Sequence, residues 1–144
     1  MLMLALYISL ALGVSFICSL LEATLLSLTS TYLASLDDKR PKLASLWRGF
    51  KEDIDKPLAA ILSLNTIAHT VGAAGAGAQA TKLFGEVYFG IISAVLTLLI
   101  LVFSEIIPKT LGARYWQQLA PACGHTLRWV QWSMYPLVVA AKFL

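Results

Sequence analysis

Three stretches of the chain run almost without charge, and polar breaks separate them. Residues 1–36 contain one charged side chain, Glu22; residues 58–80 contain none; residues 87–102 contain none. A helix needs about 20 apolar residues to cross a bilayer. The runs therefore predict three membrane spans, at about 3–28, 58–80 and 87–104. Pro57 precedes the second, a favoured place for proline at a helix start, and Gly85 breaks the short connection 82–86 before the third. Residues 37–56 differ from all of these. Six of the eleven basic residues fall there, among five acidic ones, and Leu43, Leu46, Trp47 and Phe50 recur at helical spacing. That periodicity predicts an amphipathic juxtamembrane helix at about 37–55, lying on the membrane surface or packed on the spans. Residues 113–144 are amphipathic and rich in Trp and Tyr, with Gly124 and Pro136 interrupting the helical pattern. They predict further helices along the interface, where aromatic side chains collect; a fourth span is the alternative.

Composition agrees with this reading. The 144 residues are 58% hydrophobic and 13% charged, with mean hydropathy +0.76, against about 45–50% apolar and about 25% charged for soluble domains. The expected class is an all-α membrane protein, with three transmembrane helices and a belt of amphipathic juxtamembrane helices on the cytoplasmic side. The first run lacks a basic leader and a small-residue cleavage site, so it is expected to be a retained helix rather than a signal peptide. The basic excess in 37–56 places that segment in the cytoplasm. The N-terminus is then outside and the C-terminus cytoplasmic, in the plasma (inner) membrane. Cys18 and Cys123 form no disulfide framework and no CxxC. No nucleotide-binding glycine pattern, metal-hydrolase cluster or nucleophile arrangement is present, so neither an enzyme nor a nucleic-acid partner is expected.

The candidate chemistry lies at the end of the third span, in residues 103–109, Phe-Ser-Glu-Ile-Ile-Pro-Lys. Pro108 has no N–H and cannot donate to the carbonyl four residues back, that of Ser104. A helix passing through would present that oxygen beside the carboxylate of Glu105, and a hard cation takes such oxygens. The competing reading is an i,i+4 ion pair between Glu105 and Lys109 at a membrane interface. In the first span Ser15, Ser19 and Glu22 share one face. In the second, Asn65 and His69 are one turn apart; hydrogen bonding between helices is the plainer role for them. Gly72, Gly75 and Gly77 make a small-residue stretch that lets helices approach closely, whether a neighbouring span or a second copy. If Ser19, Asn65, Ser104 and Glu105 converge, they form an all-oxygen set for Mg²⁺, Ca²⁺ or Na⁺.

These motifs also carry a resemblance. Ser19-Leu-Leu-Glu22-Ala-Thr-Leu-Leu-Ser27, Leu64-Asn65-Thr66 and Ser104-Glu105-Ile-Ile-Pro108-Lys109 resemble, in order and spacing, three motifs of the cyclin M (CNNM)/CorC family. The resemblance extends over essentially the whole chain, 1–144. It implies the transmembrane domain of a Mg²⁺ transporter, exporting with Na⁺ as coupling ion, built as a homodimer in membrane lipid. It implies a dehydrated Mg²⁺ held by Ser19, Asn65, Glu105 and the backbone oxygen of Ser104, with Glu22, His69, Pro108 and Lys109 in support. Family members usually continue into a cytoplasmic pair of CBS domains, which these 144 residues do not contain. Two positions depart from the family: Ser104 stands where glycine is usual, and His69 where asparagine is frequent. A Mg²⁺-sensing membrane anchor or dimerisation module without transport is the alternative function.

Overall fold

The computed structural model describes residues 2–143. Its elements are α1 (Leu2–Ser27), α2 (Ser30–Lys39), α3 (Pro41–Glu52), α4 (Asp55–Phe84), α5 (Phe89–Ile100), α6 (Ile107–Ser133) and α7 (Tyr135–Lys142). A short 3₁₀ turn, Glu86–Tyr88, precedes α5, and a π-helical segment, Leu101–Ile106, joins α5 to α6 without a break. The protein is an all-α membrane protein. Three of its continuous helical stretches, Leu2–Ser27, Asp55–Phe84 and Glu86–Ser133, are long and apolar enough to cross a bilayer.

Local chemistry explains the boundaries. Thr29 caps α2, its hydroxyl accepting from the Tyr32 N–H, as short hydroxyl side chains do at helix starts. The charged stretch is two helices where the periodicity placed one at 37–55. Pro41 opens α3 and pushes Arg40 out of helical geometry, to φ −141° and ψ 75°, because a residue before proline avoids the α region. Gly85 ends α4 at φ 85°, and its N–H returns to the Thr81 carbonyl; a residue with a Cβ would be strained there. Among the described residues, 113–133 are not set off from the third span. The helix continues from the third span, bends at Tyr115 (φ −113°, ψ 23°), and runs to Ser133. The eight residues of α7 reach only about 12 Å, too short to cross.

Packing concentrates at the charged end. The buried core joins the last turns of α1 (Cys18, Leu21, Leu25) to Leu33, Leu43 and Trp47 of α2 and α3, Ala60 and Ile61 of α4, and Leu127 of α6. The opposite halves of the spans expose large apolar side chains such as Leu10, Val71 and Ile91, as a lipid-facing surface does. Three side chains clasp the belt to the spans through backbone carbonyls. Trp47 Nε1–H donates to the Ala120 carbonyl at 2.9 Å. Lys51 donates to the Leu25 carbonyl at 3.1 Å, placing a cation on the last turn of α1, where carbonyls are unpaired and the helix dipole is negative. The Tyr32 hydroxyl donates at 3.1 Å to the Gln117 carbonyl, four residues before Pro121, which supplies no N–H. On the surface Arg48 makes a two-pronged pair with Asp37, at 3.0 and 2.8 Å, and holds that carboxyl below its usual range.

Close crossings use the glycines unequally. A Cβ on Gly72 would collide with the Ala11 Cβ, and one on Gly75 would collide with the Tyr7 ring. Both belong to the crossing of α4 with α1 inside one chain. Gly77 has only Phe89 near it, at an ordinary 3.8 Å. Gly112 against Ala23 (2.6 Å) and Gly124 against the Trp47 indole (2.9 Å) are also tight and complete the seams of α6 with α1 and α3.

Candidate cation site

The site is built where α1, α4 and the π-helical segment meet. In a wide turn an N–H reaches back five residues, and here Ile107 N–H bonds the Val102 carbonyl. Pro108 follows at once. With α spacing its missing N–H would have served Ser104, with π spacing Phe103. Such turns concentrate at functional sites, and this one carries Ser104 and Glu105. The Ser19 hydroxyl donates to the Ser104 carbonyl at 2.5 Å, and both residues are buried. The Ser104 hydroxyl points to the Leu12 carbonyl at 3.5 Å.

One turn along α1, the Ser15 hydroxyl donates to Asn65 Oδ1 at 2.7 Å and meets His69 Nε2 at 2.5 Å. Ser15 has a single proton, so His69 Nε2 must carry the hydrogen of that second contact. Asn65 turns its amide N–H toward Glu105 Oε1 at 3.4 Å, and His69 Nε2 lies 3.9 Å from the same oxygen. The other carboxylate oxygen of Glu105 is 3.0 Å from Lys109 Nζ, which also lies 3.7 Å from Glu22 Oε2. One ammonium thus sits between two carboxylates whose side chains are only 25% and 22% exposed.

The structure therefore gathers Ser19, Asn65, Ser104 and Glu105, with Glu22, His69 and Lys109 around them and Pro108 buried behind. The ion pair of Glu105 with Lys109 is formed, with the Ser19–Ser104 and Asn65–Glu105 contacts beside it. Ser15 is the residue that sequence reasoning named only as part of a polar face. Its side chain is fully buried and it joins α1 to Asn65 and His69 of α4. The signal was its i,i+4 relation to Ser19, which back-bonding serines within a helix also show. Among the described residues no three of His, Cys, Asp and Glu converge. The donors on hand are hydroxyl, amide, carbonyl and carboxylate oxygens with one imidazole, a set that fits a hard divalent cation.

The family description "Cyclin M transmembrane N-terminal domain" matches residues 6–144. The chain belongs to this family. Among curated relatives, it is similar to a UPF0053 protein of Synechocystis sp., 37% identical over 122 residues, 85% of this chain and 35% of the relative. A UPF0053 protein of Haemophilus influenzae is 33% identical over 117 residues, 81% of this chain and 28% of the relative. The UPF0053 inner membrane protein YfjD of Escherichia coli is 31% identical over 84 residues, 58% of this chain and 20% of the relative. This cyclin M domain thus spans about a third or less of the length of these relatives. The three motifs of the site lie at residues 19–27, 64–66 and 104–109, all within the matched range.

Proposed function

We propose that this chain is the membrane domain of a divalent-cation transporter that carries Mg²⁺ outward, with Na⁺ as the coupling ion. The observation that carries the reading is the meeting of the Ser19 hydroxyl and the Ser104 carbonyl beside Glu105, at a wide turn followed by proline. Mg²⁺ gives up its water reluctantly and demands close, well-ordered oxygens. Ser15, Ser19, Asn65 and the Ser104 carbonyl offer neutral oxygens on rigid helices, and Glu105 adds the charge. Lys109, which lies between Glu105 and Glu22, offsets that charge when cargo is absent. The reading places the belt in the cytoplasm, since α2, α3 and the connection to α4 hold six of the eleven basic residues. The plasma membrane is the expected location, as the name of the Escherichia coli relative indicates for that protein. A homodimer and a cytoplasmic CBS pair in a longer chain belong to the same reading. No residue of α5 is buried within the chain, so its apolar surface is open to lipid or to a second copy.

The test is a Mg²⁺ titration of thermal stability in purified protein, beside Glu105→Gln. A cation that binds only the folded state stabilises it by about 2.7 kcal/mol at 100 times its dissociation constant. Protection in the wild type that disappears in Glu105→Gln is expected, followed by Mg²⁺ flux in liposomes. Undiminished protection in the variant would remove Glu105 from the site. Protection without flux in sealed liposomes would instead make the domain a Mg²⁺ sensor.

A further inference from the structure

We propose that the belt carries a binding site for one anionic phospholipid, in a groove between the α2–α3 corner and the second half of α6. A cavity of about 550 Å³ lies there, with Arg40, Lys42, His125 and Arg128 on its walls and Leu43 and Pro121 among its apolar lining. It shares His125 and Arg128 with a neighbouring cavity of about 380 Å³ that reaches Trp129 and Trp132. On the other side it shares Arg40 and Pro121 with a third, of about 290 Å³, lined also by Lys39. The three form one trough. Among the described residues no aspartate or glutamate lines any of them.

The cations in this trough have no protein partner among the described residues. The ion pairs among those residues engage Arg48, Lys56, His69 and Lys109, and Asp37 is already held by Arg48. Arg40, Lys42 and Arg128 are exposed and converge from two helices on one space. A phosphodiester would complete them, because guanidinium groups grip phosphate oxygens through paired N–H donors.

The surroundings select a lipid over a dissolved phosphate. Trp129 and Trp132 stand 71% and 73% exposed, packed edge to face with centroids 6.1 Å apart, beside Arg128. Indoles in that position belong at headgroup depth. Depth is also set by packing: Cys123 in the same half of α6 lies against Thr24 in the last turns of α1, the edge of the first span. The trough thus offers cations at phosphate level and an apolar, aromatic wall for acyl chain. It depends on the membrane fold alone and not on what the cation site carries.

The experiment measures tryptophan quenching in nanodiscs by lipids brominated on the acyl chain, phosphatidylglycerol against phosphatidylcholine. Each basic residue near an anionic surface favours association by about 1 kcal/mol, or about fivefold. The wild-type chain should prefer brominated phosphatidylglycerol by about tenfold or more. Arg40→Gln with Arg128→Gln should bring the preference close to unity. A charge-matched control, Lys56→Gln with Arg114→Gln, lies outside the trough and should keep it. Equal loss in the control would reduce the effect to bulk charge and overturn the proposal. Displacement of the lipid by millimolar glycerol phosphate would overturn it in favour of a soluble phosphate ligand. Buried Trp47 reports folding: a variant whose indole emission or melting has shifted is replaced by Arg40→Lys with Arg128→Lys, for which the preference must weaken without vanishing. A preference unchanged in the lysine pair would also count against the two-pronged phosphate grip.

Discussion

The hydroxyl of Ser19 donates to the backbone carbonyl of Ser104 across the contact of two spans, at 2.5 Å. A carbonyl inside a helix is normally committed to its own ladder. At α spacing its donor would be the N–H of residue 108, a proline, which has none. Pro108→Ala returns a donor to that turn. The expected result is a helix of equal or slightly greater intrinsic stability and a weaker cation site. The Mg²⁺ concentration needed for half-maximal thermal protection should rise about tenfold, or about 1.4 kcal/mol. An unchanged titration would show that the proline only shapes the helix.

Lys109 is a tethered cation lying between Glu105 and Glu22. Lys109→Gln leaves two carboxylates facing each other. Melting without divalent ion should fall, by no more than about 1 kcal/mol because the lysine side chain is 46% exposed. The stabilisation that added Mg²⁺ brings should grow, since the ion no longer competes with an ammonium. Lys109→Arg, which keeps the charge, should stay near the wild type in both readings. A Mg²⁺ increment that shrinks in Lys109→Gln would mean that the lysine orders the site rather than competing for it.

His69 brings the one imidazole to the cluster, with Nε2 against Ser15 and 3.9 Å from Glu105 Oε1; to ligate a metal, Nε2 gives up its hydrogen and the ring takes the Nδ1–H tautomer. Imidazole suits later divalent metals better than Mg²⁺. Wild-type protein should therefore be protected by Mn²⁺ or Co²⁺ at lower concentrations than by Mg²⁺. His69→Asn should narrow that preference by about tenfold, in the range typical of groups around a metal. Identical ion ranking in the two proteins would place His69 outside the site and in the helix contact alone.

The three glycines of α4 should separate into distinct classes. Gly72→Ala drives a methyl into the Cβ of Ala11 and to 3.3 Å from its backbone, and should cost about 1–3 kcal/mol as overpacking. Gly75→Ala meets the ring of Tyr7, whose side chain can swing aside, and should cost less. Gly77→Ala has space and should be neutral or gain up to about 1 kcal/mol of helix propensity. Melting of the three variants in one detergent tests the order. Because the Gly72 and Gly75 contacts lie within a chain, these substitutions should change stability before they change oligomeric state.

Much of this was legible in the chain. Three charge-free runs of sufficient length admit few other folds, and the prolines at 57 and 108 mark the first turns of α4 and α6 by their chemistry alone. Other features left no readable signal, for physical reasons. Pro41 splits the basic segment into α2 and α3, yet the stripe of Leu43, Leu46, Trp47 and Phe50 reads as a single amphipathic helix. The wide turn at Leu101–Ile106 leaves no mark in hydropathy, because every way of winding an apolar run is equally apolar. Ser15 became more than a polar face only when α4 was laid against it. Gly112 and Gly124 carry no periodic signal, since the partners that make them necessary, Ala23 and Trp47, are remote in sequence.

The wide turn also sets the phase of the helix beyond it. Each residue of an α-helix turns the chain by about 100°, and a π turn absorbs about one residue more than an α turn. Everything after Ile106 is therefore rotated relative to a straight continuation of α5. That phase lets a single helix show Ser104 and Glu105 to the polar face of α1 and, two turns later, Gly112 to Ala23 on the same helix. A deletion of one residue within 101–106 would leave a helix just as long and just as greasy, still able to insert. Made ahead of Ser104, it would turn the site and the seam together by about 100° relative to α5, so that the helix could keep α5 against α4 or the site and seam against α1, but not both.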